Sequence, residues 1–324
     1  MNRKTLFVLA VLALALVAGW YFTSQVGLPR VPAQAERWLP GVQVAQVKAI
    51  EVQRGDQPLV RLERREQGWV VPAKADYPAD QGVVNRLLKA LAEARKVEPR
   101  TANPELYGRL GLADKGEAEQ RGVRLTLEQG EAPLQLLIGK PGQQDGQLVR
   151  RADEAQSWLV SQRIELPASE LEWLDRRIAA IPFAEVRELD LRHAGGERLT
   201  LARDKAEEAN LQVRDLPKGK RLAFDGAANG FGQFFADLRF ADAAPLAQLG
   251  FDGKPALEFS LTTFAGKTLK GRFYGKADQH WLLLEQGSGL SASEVPGRSD
   301  WAYRVEPYQY QSLARKLTDL LAKD

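Results

Sequence analysis

One pattern is written twice in this chain, and it constrains the fold more than any other feature. The first copy, Val123–Lys140, alternates apolar and polar residues on both sides of a short turn that contains Gly130. The second copy, Leu257–Lys276, does the same around Gly266, and the dipeptide Gly-Lys closes both copies. Alternation with a period of two around such a turn is typical of a β-hairpin with one buried face. We therefore expect two equivalent hairpins in two related parts of the molecule.

The elements around the two hairpins follow one order, which indicates a duplication. For the first unit the spacing predicts strands at Val47–Val52, Leu59–Arg64 and Gln67–Val71, a helix at Asp80–Val97, a helical turn at Tyr107–Leu112, strands at Gln147–Arg151 and Ser157–Val160, and a helix at Leu166–Ile178. For the second unit it predicts strands at Val186–Leu191, Arg198–Ala202 and Leu211–Arg214, a helix at Phe231–Phe240, a helical turn at Leu246–Phe251, strands at Trp281–Glu285 and Trp301–Val305, and a helix at Pro307–Leu321. Repeats of this size indicate duplicated domains rather than a solenoid.

The predicted fold class is α+β, with two tandem duplicated units that follow an N-terminal transmembrane helix. The units are expected at residues 47–178 and 179–324. Each is expected to be a mainly antiparallel β-sheet with helices packed on one face.

The N-terminus predicts a membrane anchor. Arg3 and Lys4 precede an uncharged apolar run, Leu6–Phe22, whose length is at the short end of the roughly 17–25 residues that a spanning helix needs. The run ends in Trp20–Phe22, and three consecutive aromatic residues suit a membrane interface better than a signal peptidase site. An uncleaved anchor is therefore favoured over a cleaved signal peptide, and a buried helix of a soluble protein is the third interpretation.

The anchor fixes the predicted topology. Residues 1–24 would cross the bacterial inner membrane once, with the N-terminus cytoplasmic and all residues after 24 periplasmic. Residues 25–46 contain three prolines and no clear periodicity, which predicts a linker. Within this linker the dipeptide Trp38-Leu39 could contact either the bilayer or the globular body.

Composition excludes several kinds of chemistry. The chain has no cysteine, so it has no disulfide, no thiolate nucleophile and no acylated N-terminal cysteine. Its two histidines, His193 and His280, are far apart in sequence, and no carboxylate lies at metal spacing from either. The net charge of +3 includes Arg3 and Lys4, so the rest of the chain is nearly neutral. Nucleic acid is therefore not predicted as a partner, because phosphates require clustered Lys and Arg.

Sequence motifs predict no catalytic, cofactor-binding or metal-binding residue. Gly266-Lys267-Thr268 resembles the end of a phosphate loop, but Leu261 occupies the position where that motif requires glycine. The tripeptide Arg54-Gly55-Asp56 is interpreted as a hairpin turn rather than an adhesion motif. Glu172 belongs to a predicted helix surface, and we expect alanine at His193, His280 or Glu172 to leave the function intact.

Several short motifs resemble a bacterial family known as domain of unknown function 4340 (DUF4340). They are the strand V-K-A-I-E-V at 47–52, Gln67-Gly68-Trp69, Tyr77-Pro78-Ala79-Asp80, Tyr107-Gly108 followed by Leu112, Ile138-Gly139, and R-R-I beginning at Arg176. The resemblance covers most of residues 47–178. It implies a membrane-anchored protein whose gene accompanies components of ABC-type export or gliding-motility transporters, and it assigns no catalytic residue.

The expected function is therefore that of a non-enzymatic, membrane-anchored envelope protein. It would be a periplasmic accessory subunit of an ABC-type transport system. Its expected partners are the membrane, through Leu6–Phe22, and integral membrane components of the transporter; its oligomeric state is left open. The alternatives are a stand-alone periplasmic module that binds a cell-wall or lipid ligand and, third, an uncharacterised hydrolase.

Overall fold

The computed structural model describes residues 35–143, 145–285 and 287–322, and antiparallel strands make up most of the regular structure there. The strands are β1 (Ala49–Gln53), β2 (Val60–Arg65), β3 (Gly68–Val71), β4 (Tyr77–Pro78), β5 (Lys96–Pro99), β6 (Val123–Glu128), β7 (Leu134–Pro141), β8 (Gln147–Arg151), β9 (Ser157–Val160), β10 (Arg177–Ala179), β11 (Val186–His193), β12 (Arg198–Ala202), β13 (Gln212–Val213), β14 (Leu238–Arg239), β15 (Asp242–Pro245), β16 (Leu257–Thr263), β17 (Thr268–Lys276), β18 (Gln279–Leu284) and β19 (Trp301–Val305).

Helices in the described residues are few and short, so the predicted α+β class is wrong. The α-helices are α1 (Gln81–Glu93), α2 (Tyr107–Leu110), α3 (Asn229–Gln233) and α4 (Pro307–Leu313). Apart from α1, each spans seven residues or fewer. The structure is therefore mainly antiparallel β, rather than two sheets that each carry a layer of helices.

Hydrogen bonds to distant segments explain why the predicted helices are shorter or absent. The predicted helix Leu166–Ile178 is a 3-10 turn at Glu170–Trp173 followed by β10, because its backbone bonds to the segment around β4: Asp80 N donates to Trp173 O and Asp175 N to Pro78 O. The predicted helix Asp80–Val97 ends at Glu93, since the following residues form β5 and pair with β9. These tertiary contacts override the helical spacing of the apolar residues.

The other two predicted helices are shortened in the same way. The Phe231–Phe240 helix stops at Gln233, and β14 then pairs with β10. The closing helix stops at Leu313 and is followed by a 3-10 turn at Leu317–Leu320.

The chain forms two compact units, which we call unit 1 and unit 2. Unit 1 contains the described residues up to Trp69 together with Gln81–Pro167. Unit 2 contains Val70–Asp80 and the residues from Ala168 onward. Nothing in the sequence pattern indicates that the eleven-residue segment Val70–Asp80, which we call the arm, belongs to unit 2.

The two large sheets share one strand order. The first runs β4-β3-β2-β1-β6-β7-β8-β9-β5 and the second runs β13-β12-β11-β16-β17-β18-β19-β15. Without β4, the two orders correspond position by position, and hairpins β6–β7 and β16–β17 hold the same place. The registers of the central strands correspond as well. In the first sheet Glu51 on β1 lies opposite Thr126 on β6, and in the second Asp190 on β11 lies opposite Ser260 on β16. Glu51 therefore corresponds to Asp190, and Thr126 corresponds to Ser260.

Alternation along the strands separates a buried face from a polar face in each sheet. In unit 1 the buried side chains include Ile50, Leu62, Leu125 and Leu127, and α1 contributes Leu87, Leu88 and Leu91. In unit 2 they include Leu189, Leu191, Leu261 and Phe273. Burial of each such side chain contributes about 1.5–3 kcal/mol to the stability of the fold. Because the apolar side chains are held on the buried face, the polar side chains between them are held on the opposite face.

The predicted anchor Leu6–Phe22 lies outside the described residues. Among the described residues, no helix has the length and apolarity that a membrane crossing requires. The predicted single-pass inner-membrane topology, with a cytoplasmic N-terminus and a periplasmic remainder, is therefore not supported, and we withdraw it. Trp38 and Leu39 are buried in unit 1, where Trp38 N donates to Ala94 O.

Candidate functional site

A charged depression on the polar face of the second sheet is the candidate functional site. Because Leu189, Leu191, Phe259 and Phe273 point into the core, their strand neighbours point outward. We call this set of outward side chains the outer-face cluster, and it consists of Asp190, Arg192, Arg198, Glu258, Ser260, Lys270, Arg272 and Glu285. They line a depression of about 460 Å³.

Strand register places these side chains in two rows across the sheet. Asp190 on β11 lies opposite Ser260 on β16, and Ser260 lies opposite Lys270 on β17. In the next row Arg192 lies opposite Glu258, and Glu258 lies opposite Arg272. Directly opposite side chains have Cβ atoms about 4.5–5.5 Å apart, so neighbours within a row can interact directly.

Two ion pairs neutralise part of the cluster. Asp190 Oδ1 accepts hydrogen bonds from Arg198 Nη2 at 2.9 Å and Arg198 Nε at 3.2 Å, and from Thr200 Oγ1 at 2.6 Å. Glu285 Oε1 accepts from Arg272 Nε at 2.8 Å and Nη2 at 2.5 Å. The bond to Glu285 raises the pKa of Arg272 above its ordinary value and holds the guanidinium charged.

Three charged groups of the cluster remain unpaired. Within the described part of the chain, Arg192, Lys270 and Glu258 form no ion pair within 4.0 Å and no side-chain hydrogen bond. Arg192 and Lys270 are exposed, and Glu258 is partly exposed. The cluster therefore presents two free cations and one free carboxylate to a ligand.

The chemistry of the cluster is that of charge recognition. It contains carboxylates, guanidinium groups, one ammonium group and one serine hydroxyl, but no histidine or thiol. A serine nucleophile requires a general base within hydrogen-bond reach, and the nearest carboxylate by register, Asp190, is already bound by Arg198 and Thr200. These groups are suited to binding charged ligand groups.

The corresponding face of the first sheet has its charges paired. Arg61 Nη1 lies 2.5 Å from Glu51 Oε1 and 2.7 Å from Glu128 Oε1, and Arg61 Nε lies 2.9 Å from Glu63 Oε1. The hydrogen bonds that Arg61 donates, chiefly those to Glu128, raise the pKa of Arg61. Arg124 and Arg150 both pair with Asp114. The first sheet therefore offers fewer free charges than the second.

A larger groove of about 580 Å³ in unit 1 is a weaker candidate. It lies between Leu39–Val42 and the β6–β7 turn. Its polar groups are engaged with one another: Gln129 bonds to the backbone of Gly41 and Gln43, and Arg151 pairs with Asp153. Among the described residues that line this groove, no charged group is left unpaired to direct a ligand.

The residues that the sequence analysis discussed lie outside the outer-face cluster. His193 ends β11, its Nε2 is buried without a hydrogen-bond partner in the described structure, and burial lowers its pKa. His280 stacks on Tyr310 with ring centroids 3.7 Å apart. Glu172 Oε2 accepts a hydrogen bond from Ala168 N at 2.8 Å. The surroundings of His193, His280 and Glu172 are thus accounted for by burial, ring stacking and a local hydrogen bond, and none of the three belongs to the outer-face cluster.

The Arg54-Gly55-Asp56 motif has a structural role, and no metal site was found among the described residues. The Arg54-Gly55-Asp56 segment forms a turn in which Gly55 adopts φ +54°, and Arg121 binds Asp56 through two hydrogen bonds of 2.9 Å. In the described ranges no group of three or more His, Asp or Glu side chains is arranged to hold a metal ion.

Comparison with known proteins supplies a family but no function. Residues 69–228 match the model of a family described as "Domain of unknown function (DUF4340)", so the resemblance predicted from the sequence is confirmed. The match does not show an association with membranes or with ABC-type transporters. No curated protein and no solved structure matches the chain.

Proposed function

We propose, on the premise that this chain belongs to the DUF4340 family over residues 69–228, that the protein acts by contact rather than by catalysis. In this proposal it is an accessory subunit that binds another protein through the outer-face cluster of unit 2. The family resemblance suggests a component of an ABC-type transporter as the partner.

One observation carries the proposal: Arg192, Lys270 and Glu258 are unpaired in a solvent-open depression whose other charges are paired. Charged groups at a protein surface direct encounter and set the orientation of a partner, whereas they contribute less to raw affinity. A solvent-open depression on a sheet face also suits a protein partner better than a small molecule, which is usually enclosed in a deeper pocket.

Site-specific photo-crosslinking in cells tests this proposal. A photo-reactive amino acid at position 270 of the full-length chain should give a discrete adduct with one protein, identified by mass spectrometry as a transporter component. The same probe at the exposed Lys115 of unit 1 serves as the control and should not give that adduct. Adding Arg192→Glu should reduce the yield at position 270.

Two results would contradict the proposal. One is an identical set of adducts from positions 270 and 115, since that would reflect abundance rather than contact. The other is a discrete adduct whose yield does not respond to Arg192→Glu, because the charge of the cluster would then play no part.

A further inference from the structure

We propose that the outer-face cluster binds an acidic, extended peptide segment of the partner, with Arg192 and Lys270 as counter-ions for its carboxylates. The inference rests on the proposed function and adds the chemical class of the ligand. It is independent of which protein carries the segment.

The positions of the two cations suit two carboxylates of one segment. Arg192 on β11 and Lys270 on β17 lie on either side of β16 and in neighbouring rows. Two strand spacings across the sheet and a shift of two residues along it separate their Cα atoms by about 12 Å. Ser260 lies between them, directly opposite Lys270 and diagonal to Arg192. Carboxylates two residues apart in an extended chain are about 7 Å apart, so the two flexible cationic side chains can reach them.

The first sheet provides an internal comparison. By register, the positions of Arg192 and Lys270 correspond to Gln53 and Gln135. Gln53 Nε2 donates to the carbonyls of Gly55 and Gln57, and Gln135 Oε1 accepts from Arg124. The strand order alone therefore does not require a cation at either position, and of the two sheets only the second has cations there.

The carboxylates of the cluster argue against nucleic acid as the ligand. Asp190, Glu258 and Glu285 lie among the four cations, and a phosphate backbone is bound by clustered Lys and Arg without interspersed acids. An acidic peptide tolerates this arrangement because its carboxylates are discrete and can be spaced to match the cations. Glu258 opposes such a ligand, so its removal should strengthen binding.

Binding of a synthetic peptide to the full-length chain tests the inference. The probe is a fluorescently labelled peptide with glutamate at alternating positions, and fluorescence anisotropy gives its Kd. Arg192→Gln with Lys270→Gln should weaken binding by about two- to thirty-fold, the range expected for two exposed ion pairs. Glu258→Gln should strengthen binding by about two-fold or more.

Matched controls distinguish binding at this site from a non-specific effect of the protein's net charge. Arg86→Gln with Lys115→Gln removes the same two charges from exposed positions of unit 1 and should leave Kd unchanged. The same peptide with glutamine in place of glutamate should not bind. Circular dichroism should show all variants folded, because none of these side chains lies in the core.

Three outcomes would overturn the inference: an unchanged Kd in the Arg192 and Lys270 variant, an equal loss in the unit 1 control, or equal competition by a single-stranded oligonucleotide. The proposed function fails on a different result, namely the absence of a position-specific crosslink. A crosslink at position 270 without peptide binding would retain contact as the function and reject the acidic ligand.

Discussion

His193 and His280 are the two histidines of the chain, and both are partly buried in unit 2. Burial lowers the pKa of each imidazole below the ordinary value of 6.5. Glu197 and Asp319 act in the opposite direction on His193, while Lys316 adds to the lowering. Both rings are therefore more readily protonated in the unfolded chain than in the folded one.

This difference predicts that the free energy of unfolding decreases in mild acid. Below about pH 6.5 the unfolded chain takes up protons that the folded chain does not, so the free energy of unfolding decreases toward the lower folded pKa values. His193→Ala and His280→Ala should flatten this part of the profile, measured by chemical denaturation between about pH 7.5 and pH 5. Gln279→Ala, an exposed non-titrating change on β18, should leave the slope as it is.

Both alanine variants should also retain the crosslink at position 270, as should Glu172→Ala, because none of the three side chains belongs to the outer-face cluster. A variant that is folded yet loses the crosslink would show that its side chain acts in function. An unchanged pH slope in both histidine variants would show that these rings do not govern acid stability.

Part of the candidate site could be predicted from residue order. Alternation with Leu189 and Leu191 places Asp190 and Arg192 outward, and the same argument places Glu258 and Lys270. Their pairing could not be predicted, because it depends on which strands become neighbours and on side-chain conformation. Arg198 lies directly opposite Arg192 yet turns to Asp190, and no local pattern distinguishes that choice.

At the scale of elements, the arm Val70–Asp80 is built into the aromatic core of unit 2. The ring of Tyr77 is 2% exposed and lies 4.7 Å from Trp301 and 5.5 Å from Phe240, centroid to centroid. Burial raises the pKa of Tyr303 to about 12, and its hydroxyl accepts a hydrogen bond from Arg298 N. Lys74 also pairs with Asp242 at 3.4 Å. The arm therefore completes this core.

Tyr77→Ala should destabilise unit 2 by about 3–5 kcal/mol, the usual effect of removing a buried aromatic ring. Tyr308→Ala, at a side chain that is 70% exposed, should change stability by about 0.5 kcal/mol or less. Denaturant titration gives both values, and hydrogen exchange should show the loss at β19. A loss below about 1 kcal/mol for Tyr77→Ala would mean that unit 2 does not depend on the arm.

Strands were predicted better than helices because their signal is local. The predicted bounds of β8, β9, β12 and β19 agree with the structure, and both hairpins form. Helical spacing is misleading at Leu166–Ile178. The same spacing of apolar residues is compatible with the 3-10 turn and the strand β10 that form there, and both elements are hydrogen-bonded to segments distant in sequence. The arm has no local signal, because its partners lie far away in sequence.

At the scale of the whole molecule, the two sheets have the same strand order but differently charged polar faces. The central acids Glu51 and Asp190 occupy corresponding positions in the two sheets. In the first sheet the acid shares Arg61 with two other glutamates, whereas in the second it pairs with Arg198 and leaves Arg192 free. The same strand order thus carries neutralised charges in the first sheet and free charges in the second.

The predicted duplication is tested by superposing the two halves of the chain. Superposition of residues 49–160 on residues 186–305 should bring the β6–β7 hairpin onto the β16–β17 hairpin, with Glu51 on Asp190. The reason is that the strand orders and the registers of the central strands correspond. If the strands superpose only after a shift that places Glu51 away from Asp190, the correspondence of the two polar faces would be wrong.

The arm also has a consequence for synthesis on the ribosome. About 220 residues separate Tyr77 from Trp301, which at roughly 5–20 residues per second is on the order of ten to forty seconds of translation. Throughout that interval the arm has emerged, but Trp301, which packs on Tyr77, has not been made. The nascent chain therefore carries the ring of Tyr77 incompletely enclosed until the last strand is made, and this interval is when a chaperone would be of most use.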